Sequence, residues 1–189
     1  MRLWTVQPEE VFEILKKNGI FICNQDLAVY GEDFKRPYAW MTAQMDKRNI
    51  PHPENVTLPI WAWHTRNWEH KKPDLREAAY DKKGTKSVLI EIEIPDNEVL
   101  LSDYNEWHYV LNNSWNDDSM NEEEWEKMQE EFDNLSFVER ERLKKESWNK
   151  IFDITPFQNE WRSKGQYIQA CFWELRLKDV KKVWHFTCR

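Results

Sequence analysis

The period of the apolar positions changes repeatedly along this chain, and each change marks an element. Leu3, Trp4 and Val6 predict a strand over 2–6. Pro8 then stands where a helix begins, with Glu9 and Glu10 suited to its positive N-terminal end. Val11, Ile14 and Leu15 recur at helical spacing until Gly19 stops the helix, and Ile20 to Cys23 form a short strand. A helix is expected over 38–45, started by Pro37. Pro51, Pro53 and Pro59 hold 49–59 as an extended loop leading into a strand over 60–65. Trp61, Trp63 and Thr65 share one face of that strand and Ile60, Ala62 and His64 the other, so the two indoles stand about 6.6 Å apart.

Alternation is clearest over 87–94, where Val88, Ile90, Ile92 and Ile94 form one face and Ser87, Glu91 and Glu93 the other. Leu89 is the exception, and the pattern predicts an antiparallel or edge-like strand with one wet face. The chain turns at Pro95, returns over 98–101, and is capped by Ser102 and Asp103 into a short helix over 104–111. Charged helices over 121–133 and 136–150 make a helical hairpin. Its stripes are Trp125, Met128, Phe132 and Leu135, then Val138, Leu143, Trp148 and Ile151, with Trp125 and Trp148 assigned to the core. A long strand over 166–177 is apolar on both faces from Tyr167 to Trp173, hence central, with Gln169 its polar exception. A strand over 182–187 closes the chain. The expectation is one α+β domain over 1–189. It has a mainly antiparallel sheet, continuous or split, an N-terminal strand-helix-strand unit, and a peripheral helical insertion over about 115–152.

Composition changes this picture at one point: the chain carries twelve tryptophans and only four glycines in 189 residues. Such a surplus either stiffens a core or lines a pocket for a ring-shaped ligand. The net charge of −7 argues against a broad nucleic-acid face, so a nucleic-acid partner lacks support from charge. The distribution is uneven. Nine acids stand against Lys127 alone between Asp117 and Asp133, whereas seven bases stand against four acids between Arg66 and Lys86. The basic stretch reads as a solvated loop or as a patch that meets a phosphate. No apolar run is long enough to span a bilayer, and the N-terminus lacks the apolar stretch of a signal peptide, so no membrane and a cytoplasmic location are expected. Cys23, Cys171 and Cys188 show no CxxC spacing and are expected to be buried thiols. No metal site is expected, because His64 and His70 match no ligand spacing.

The local text from Leu101 to Asn112 either caps a helix or sets Asp103, Trp107 and His108 as a polar rim beside an aromatic floor. Gln169 must find a hydrogen bond or face a cavity, and Glu174 lies across the strand from it. Arg2 to Gln7, Tyr38 to Met41, Pro59 to Trp63, and Leu100 to Asp103 with Trp107 and His108 resemble an uncharacterised bacterial and viral family, the domain of unknown function numbered 3841. That resemblance spans essentially the whole chain and brings no activity with it. A more distant likeness concerns Leu3 to Cys23 and Gln169 to Val183, which are similar to the opening unit and closing strands of the ADP-ribosyltransferase-like fold. That likeness implies NAD held between two small sheets. Thr5 falls at the first-strand cofactor position, Trp61 to His64 on the middle strand, and Gln169 at the catalytic glutamate, with Glu174 as its alternative. Thr5 and Gln169 depart from the family's charged residues.

Two functions stay open. One is a non-catalytic ligand- or partner-binding protein with an aromatic-lined cleft, taking a small nucleotide-like ligand or a protein. The other is an ADP-ribosyltransferase-like enzyme binding NAD or a related nucleotide. In the second, Gln169, Glu174 and His108 would be catalytic, and Thr5, Trp61, Trp63, His64, Asp103 and Trp107 would bind the cofactor. Five tryptophans, Trp4, Trp61, Trp63, Trp107 and Trp173, are expected to frame the cleft or to pack on one another.

Overall fold

A computed structural model describes residues 1–23, 32–76 and 82–189. Part of the basic stretch, residues 77–81, lies outside the described residues. The elements run β1 (Arg2–Pro8), α1 (Glu9–Asn18), β2 (Ile20–Ile22), α2 (Glu32–Lys47), β3 (Ile60–Thr65), β4 (Lys86–Glu93), β5 (Leu100–Asp103) and α3 (Tyr104–Leu111). They continue with α4 (Glu122–Asp133), α5 (Phe137–Ser147), a 3-10 turn (Trp148–Phe152), β6 (Phe157–Gln158), β7 (Ser163–Lys164), β8 (Ile168–Phe172), β9 (Glu174–Arg176) and β10 (Val180–Thr187).

Local chemistry explains most boundaries. Pro8 sits at the N-cap of α1, acids fill the first turn and lysines the last. Gly19 ends it at φ 77° with its N–H on the Leu15 carbonyl, a left-handed position that suits a residue without Cβ. Asp103, Asn121 and Ser136 cap α3, α4 and α5 by accepting the backbone N–H three residues on; at Ser136 the Glu139 carboxylate completes a capping box. Pro37 lies inside α2 and does not start it, so the helix is longer at its N-terminal end than the sequence predicts.

Six strands form an antiparallel sheet in the order β10-β4-β1-β3-β8-β5. β4 is antiparallel to both neighbours, one of the two expected alternatives, and is interior and not edge-like: β1 and β10 flank it, Leu89 is fully buried, and Glu91 accepts from the Trp4 indole at 3.2 Å. The predicted strand over 166–177 breaks at Trp173. Its first part is β8, between β3 and β5; its second, β9, leaves the sheet and pairs with β2. Among the described residues, the halves β10-β4-β1 and β3-β8-β5 meet at one register pair, Trp4 with Trp63. The sheet is thus continuous but thinly paired at its centre, a seam the alternation pattern left undecided.

Each face of the sheet carries its own core. Leu3, Ile60, Ala62, Val88, Ile90, Ile92, Ala170 and Phe172 pack with Leu15 of α1, Phe21 of β2 and Leu175 of β9. On the other face Trp61, Leu100 and Cys171 pack with Met41 and Met45 of α2, Trp107 and Val110 of α3, and Trp148 and Ile151 of the 3-10 turn. Cys171 and Cys188 are buried and Cys23 half-buried, all free, and burial pushes the Cys23 and Cys171 thiols up. The hairpin α4–α5 stands apart from both cores. No residue of α4 is buried, and the expected core position Trp125 is 40% exposed. Val138 is also exposed, so it is not part of a packed stripe, and α5 stops at Ser147 before the 3-10 turn. No helix among the described residues is long and apolar enough to cross a membrane.

Candidate functional site

Most of the residues expected to frame a cleft are taken up by packing. Trp61 and Trp107 lie 5.2 Å apart with Tyr38 against both, at 5.6 and 6.4 Å. Trp173 is covered by His52, whose ring lies flat on it at 3.8 Å and 5° while its nitrogens reach Asp46 and the Val56 carbonyl at 2.7 Å. Thr5 is fully buried; its hydroxyl donates to the Trp61 carbonyl at 2.8 Å across the seam. It pairs with Ile90, on the sheet face opposite Trp63 and Gln169. Gln169 donates to the Ser102 hydroxyl at 3.3 Å. Glu174 stands in the small β2–β9 sheet, apart from Gln169. His108 is exposed, its Nδ1 2.9 Å from the Tyr104 carbonyl.

Asp103 is fully buried and accepts the backbone N–H groups of Glu106 at 2.9 Å and Gly165 at 2.5 Å. Burial pushes its carboxyl above the usual range, and those two donors oppose the shift. Its role is therefore a cap that ties α3 to the 163–166 turn.

Trp63 and His64 sit at the seam. Trp63 packs against Tyr104 at 5.1 Å and carries the Arg66 guanidinium at 4.9 Å. A β-bulge between Trp63 and Thr65 re-aims His64 onto His70, 4.2 Å away, and His70 lies 5.2 Å from Trp4. Burial and the neighbouring His70 lower His64 to about 4 from its ordinary 6.5. The unfolded chain therefore binds the extra proton more readily between these values. Stability is full above about pH 6.5 and falls as pH drops toward 4. Replacing His64→Gln is expected to flatten the thermal midpoint against pH across that interval relative to the wild type; parallel curves would refute the assignment.

Beyond β3, Asn67 and Trp68 turn the chain with φ 52° and 68°. A tryptophan in the left-handed region is strained by roughly 1–3 kcal/mol. The Trp68 N–H bond to the Gln166 carbonyl at 3.0 Å and the Asn67–Gln166 contact hold it there. The turn opens a cleft of about 550 Å³ lined by Arg66, Lys71, Lys72, Arg76, Asp74 and Tyr167 among others. Lys71 pairs with Glu69 and Arg76 with Asp74.

A larger cavity lies elsewhere, under the helical hairpin. It holds about 820 Å³ between α3, the 113–119 segment, α4, α5 and the 161–162 turn. α4 supplies Trp125, Gln129 and Phe132, one helical face; α5 supplies Phe137, Arg140, Glu141 and Lys144, another. Trp115 stacks on Phe132 at 4.4 Å and 7°, and Trp161 is 45% exposed at the opposite wall. Exposed apolar rings gathered on a concavity mark a binding surface more often than a solvated one.

The floor beneath these rings is polar and satisfied. The Arg162 guanidinium donates to Glu106 at 2.7 and 3.2 Å and to the Asn116 side chain at 3.0 Å, and pairs with Asp118 at 2.9 Å. Asn116 donates to the other Glu106 oxygen, and its backbone N–H reaches Ser147 at 3.1 Å. Burial alone would lower Arg162, but Glu106 and Asp118 outweigh it and hold the guanidinium above its ordinary value. Asp117 accepts the Ser119 N–H at 2.8 Å and its hydroxyl at 2.5 Å, and the Trp161 indole donates to that hydroxyl at 3.2 Å. Burial, with Asp117 and Glu106 nearby, pushes Tyr109 up, so its phenol stays neutral. A firmly bonded polar base under aromatic walls suits retention of a ring-bearing ligand.

Sequence reasoning missed Trp115, Phe137, Arg140, Trp161 and Arg162. One signal was present. The stripe Trp125, Met128, Phe132 faces a side of α5 that carries Phe137 but is otherwise charged, with Arg140, Glu141 and Lys144, so the two helices could not close an apolar core between them.

Neither a curated protein nor a solved structure matches the chain. Over residues 2–181 it matches the family model described as a domain of unknown function, DUF3841, and it belongs to that family.

Proposed function

We propose that the protein is a non-catalytic binding protein whose aromatic-lined cleft, under the α4–α5 hairpin, takes a small nucleotide-like ligand. One observation carries this reading: Trp115, Trp125, Trp161, Phe132 and Phe137 surround about 820 Å³, whereas Trp61, Trp107 and Trp173 are consumed by packing. Stacking on an indole is worth roughly 1–3 kcal/mol per base and tolerates any planar ring. The absence of a carboxylate at position 169 and the separation of Glu174 from Gln169 weigh toward binding without turnover.

Tryptophan fluorescence titrated with mononucleotides, ADP-ribose and NAD is expected to show saturable quenching that is weakened in Trp125→Leu and Trp161→Leu. Unchanged emission up to millimolar ligand would overturn the reading.

The seam at Trp4 and Trp63 favours a second reading, an ADP-ribosyltransferase-like enzyme with NAD held beside the thinly paired centre of the sheet. The half-buried Trp63 and His64 beside the seam support it; Thr5 on the opposite face weighs against it. Consumption of NAD by the purified protein, lost in Gln169→Ala, is its test.

A further inference from the structure

Resting on the hairpin cleft as the binding site, we infer that its ligand is a planar anion and that Arg140 is the residue that receives the negative group. The charges lining the cleft are otherwise engaged. Arg162 is held by Glu106 and Asp118, Lys144 by Glu141, and Asp117 by the two Ser119 donors. Arg140 alone among these cations makes no ion pair and no side-chain hydrogen bond among the described residues. It is half-buried, yet its neighbours at Glu139 and Glu141 are already committed, Glu139 to Ser136 and Glu141 to Lys144.

Position explains the selectivity. Arg140 is three residues after Phe137 and one turn before Lys144 on the face of α5 that lines the cavity, opposite the Trp125–Phe132 face of α4. A ring seated against those aromatics brings a substituent toward the guanidinium, which binds carboxylate, sulfonate or phosphate through paired N–H donors. The buried Asp117 carboxylate at the floor keeps the anionic end at the Arg140 side and away from the base of the cavity. The predicted ligand class is thus an aromatic or heteroaromatic ring with one anionic group, which includes mononucleotides.

Two fluorescent probes of matched shape separate this inference from the reading it rests on. Anilinonaphthalene sulfonate carries a planar naphthalene ring and one anionic group; N-phenyl-1-naphthylamine is its neutral counterpart. The wild type is expected to bind the sulfonate at least about tenfold more tightly, and Arg140→Gln to lose about tenfold for the sulfonate alone, the usual scale of a hydrogen bond to a charged group. Arg140→Lys should restore part of the loss, and thermal midpoints of both variants should stay near the wild type. Equal binding of both probes, untouched by Arg140→Gln but weakened by Trp125→Leu, would overturn the role of Arg140 and leave the cleft standing. Binding of neither probe, or binding indifferent to Trp125→Leu and Trp161→Leu, would overturn the cleft itself.

Discussion

Replacing Glu106→Ala is expected to destabilise the protein by about 3–5 kcal/mol, the scale of breaking a buried ion pair from one side. Glu106 is 3% exposed and accepts two bonds from Arg162 and one from Asn116. Its removal leaves a guanidinium with 14% side-chain exposure facing an empty carboxylate position, with only Asp118 and the Asn116 oxygen remaining. The cost is that of a stranded charge and not the net worth of the pair. A double replacement, Glu106→Leu with Arg162→Met, should therefore recover much of the loss. Denaturant unfolding of the wild type and the two variants checks this; a loss under about 1 kcal/mol for Glu106→Ala would show that water already screens the network.

Gly165→Ala is the second large effect. The residue lies at φ 80°, and a Cβ there would stand 2.9 Å from the Pro156 Cα and 3.0 Å from the Ile154 carbonyl oxygen. Both obstacles are backbone, so no rotamer relieves them. Strain and overpacking each contribute roughly 1–3 kcal/mol, for about 2–6 kcal/mol together. Any shift that relieves the clash also pulls the Gly165 N–H away from Asp103, loosening the cap of α3. Gly84 provides the control: it lies at φ 91°, and a Cβ added there would meet nothing within 4 Å, so Gly84→Ala carries strain alone. Equal losses of thermal midpoint at the two glycines would refute the packing argument.

These effects converge on one region. Asp103, Glu106, Asn116, Arg162 and Gly165 join β5, α3, the 113–119 segment and the residues on either side of β7, and so fix the floor of the hairpin cleft. The walls are held differently: α4 buries no residue, and its Phe132 stacks on Trp115. A firm base with weakly anchored walls is the arrangement expected where a ligand completes the packing.

Much of the fold was legible in the pattern of residues. Pro8, Gly19, Ser136 and Asp103 mark their helix ends through chemistry confined to a few neighbours, and these boundaries hold. Two errors share a cause. β4 reads as half-wet because Glu91 and Glu93 alternate with isoleucines, but Glu91 is turned to the Trp4 indole by a strand 87 residues away. The break at Trp173 likewise depends on β2 drawing β9 out of the main sheet, a pairing that periodicity within 166–177 does not encode.

The site was less legible. Trp63 and His64 do lie at the seam, and the basic turn lies beside them, but Trp61 and Trp107 meet each other through α3 and α2. Asp103 reads equally as cap or rim from sequence alone, and its second oxygen is claimed by Gly165, 62 residues on. The aromatic rings of the cleft come from separate segments around positions 115, 125, 132, 137 and 161, each ordinary by itself. Their convergence is a product of the hairpin's placement over α3.

Calorimetric titration of a mononucleotide into the wild type, the double variant Trp125→Leu/Trp161→Leu, and Trp63→Leu tests the central claim most directly. A ligand seated under the hairpin predicts affinity lost by about tenfold or more in the double variant and unchanged in Trp63→Leu. Affinity retained in the double variant and lost in Trp63→Leu would place the ligand at the sheet seam and contradict the account.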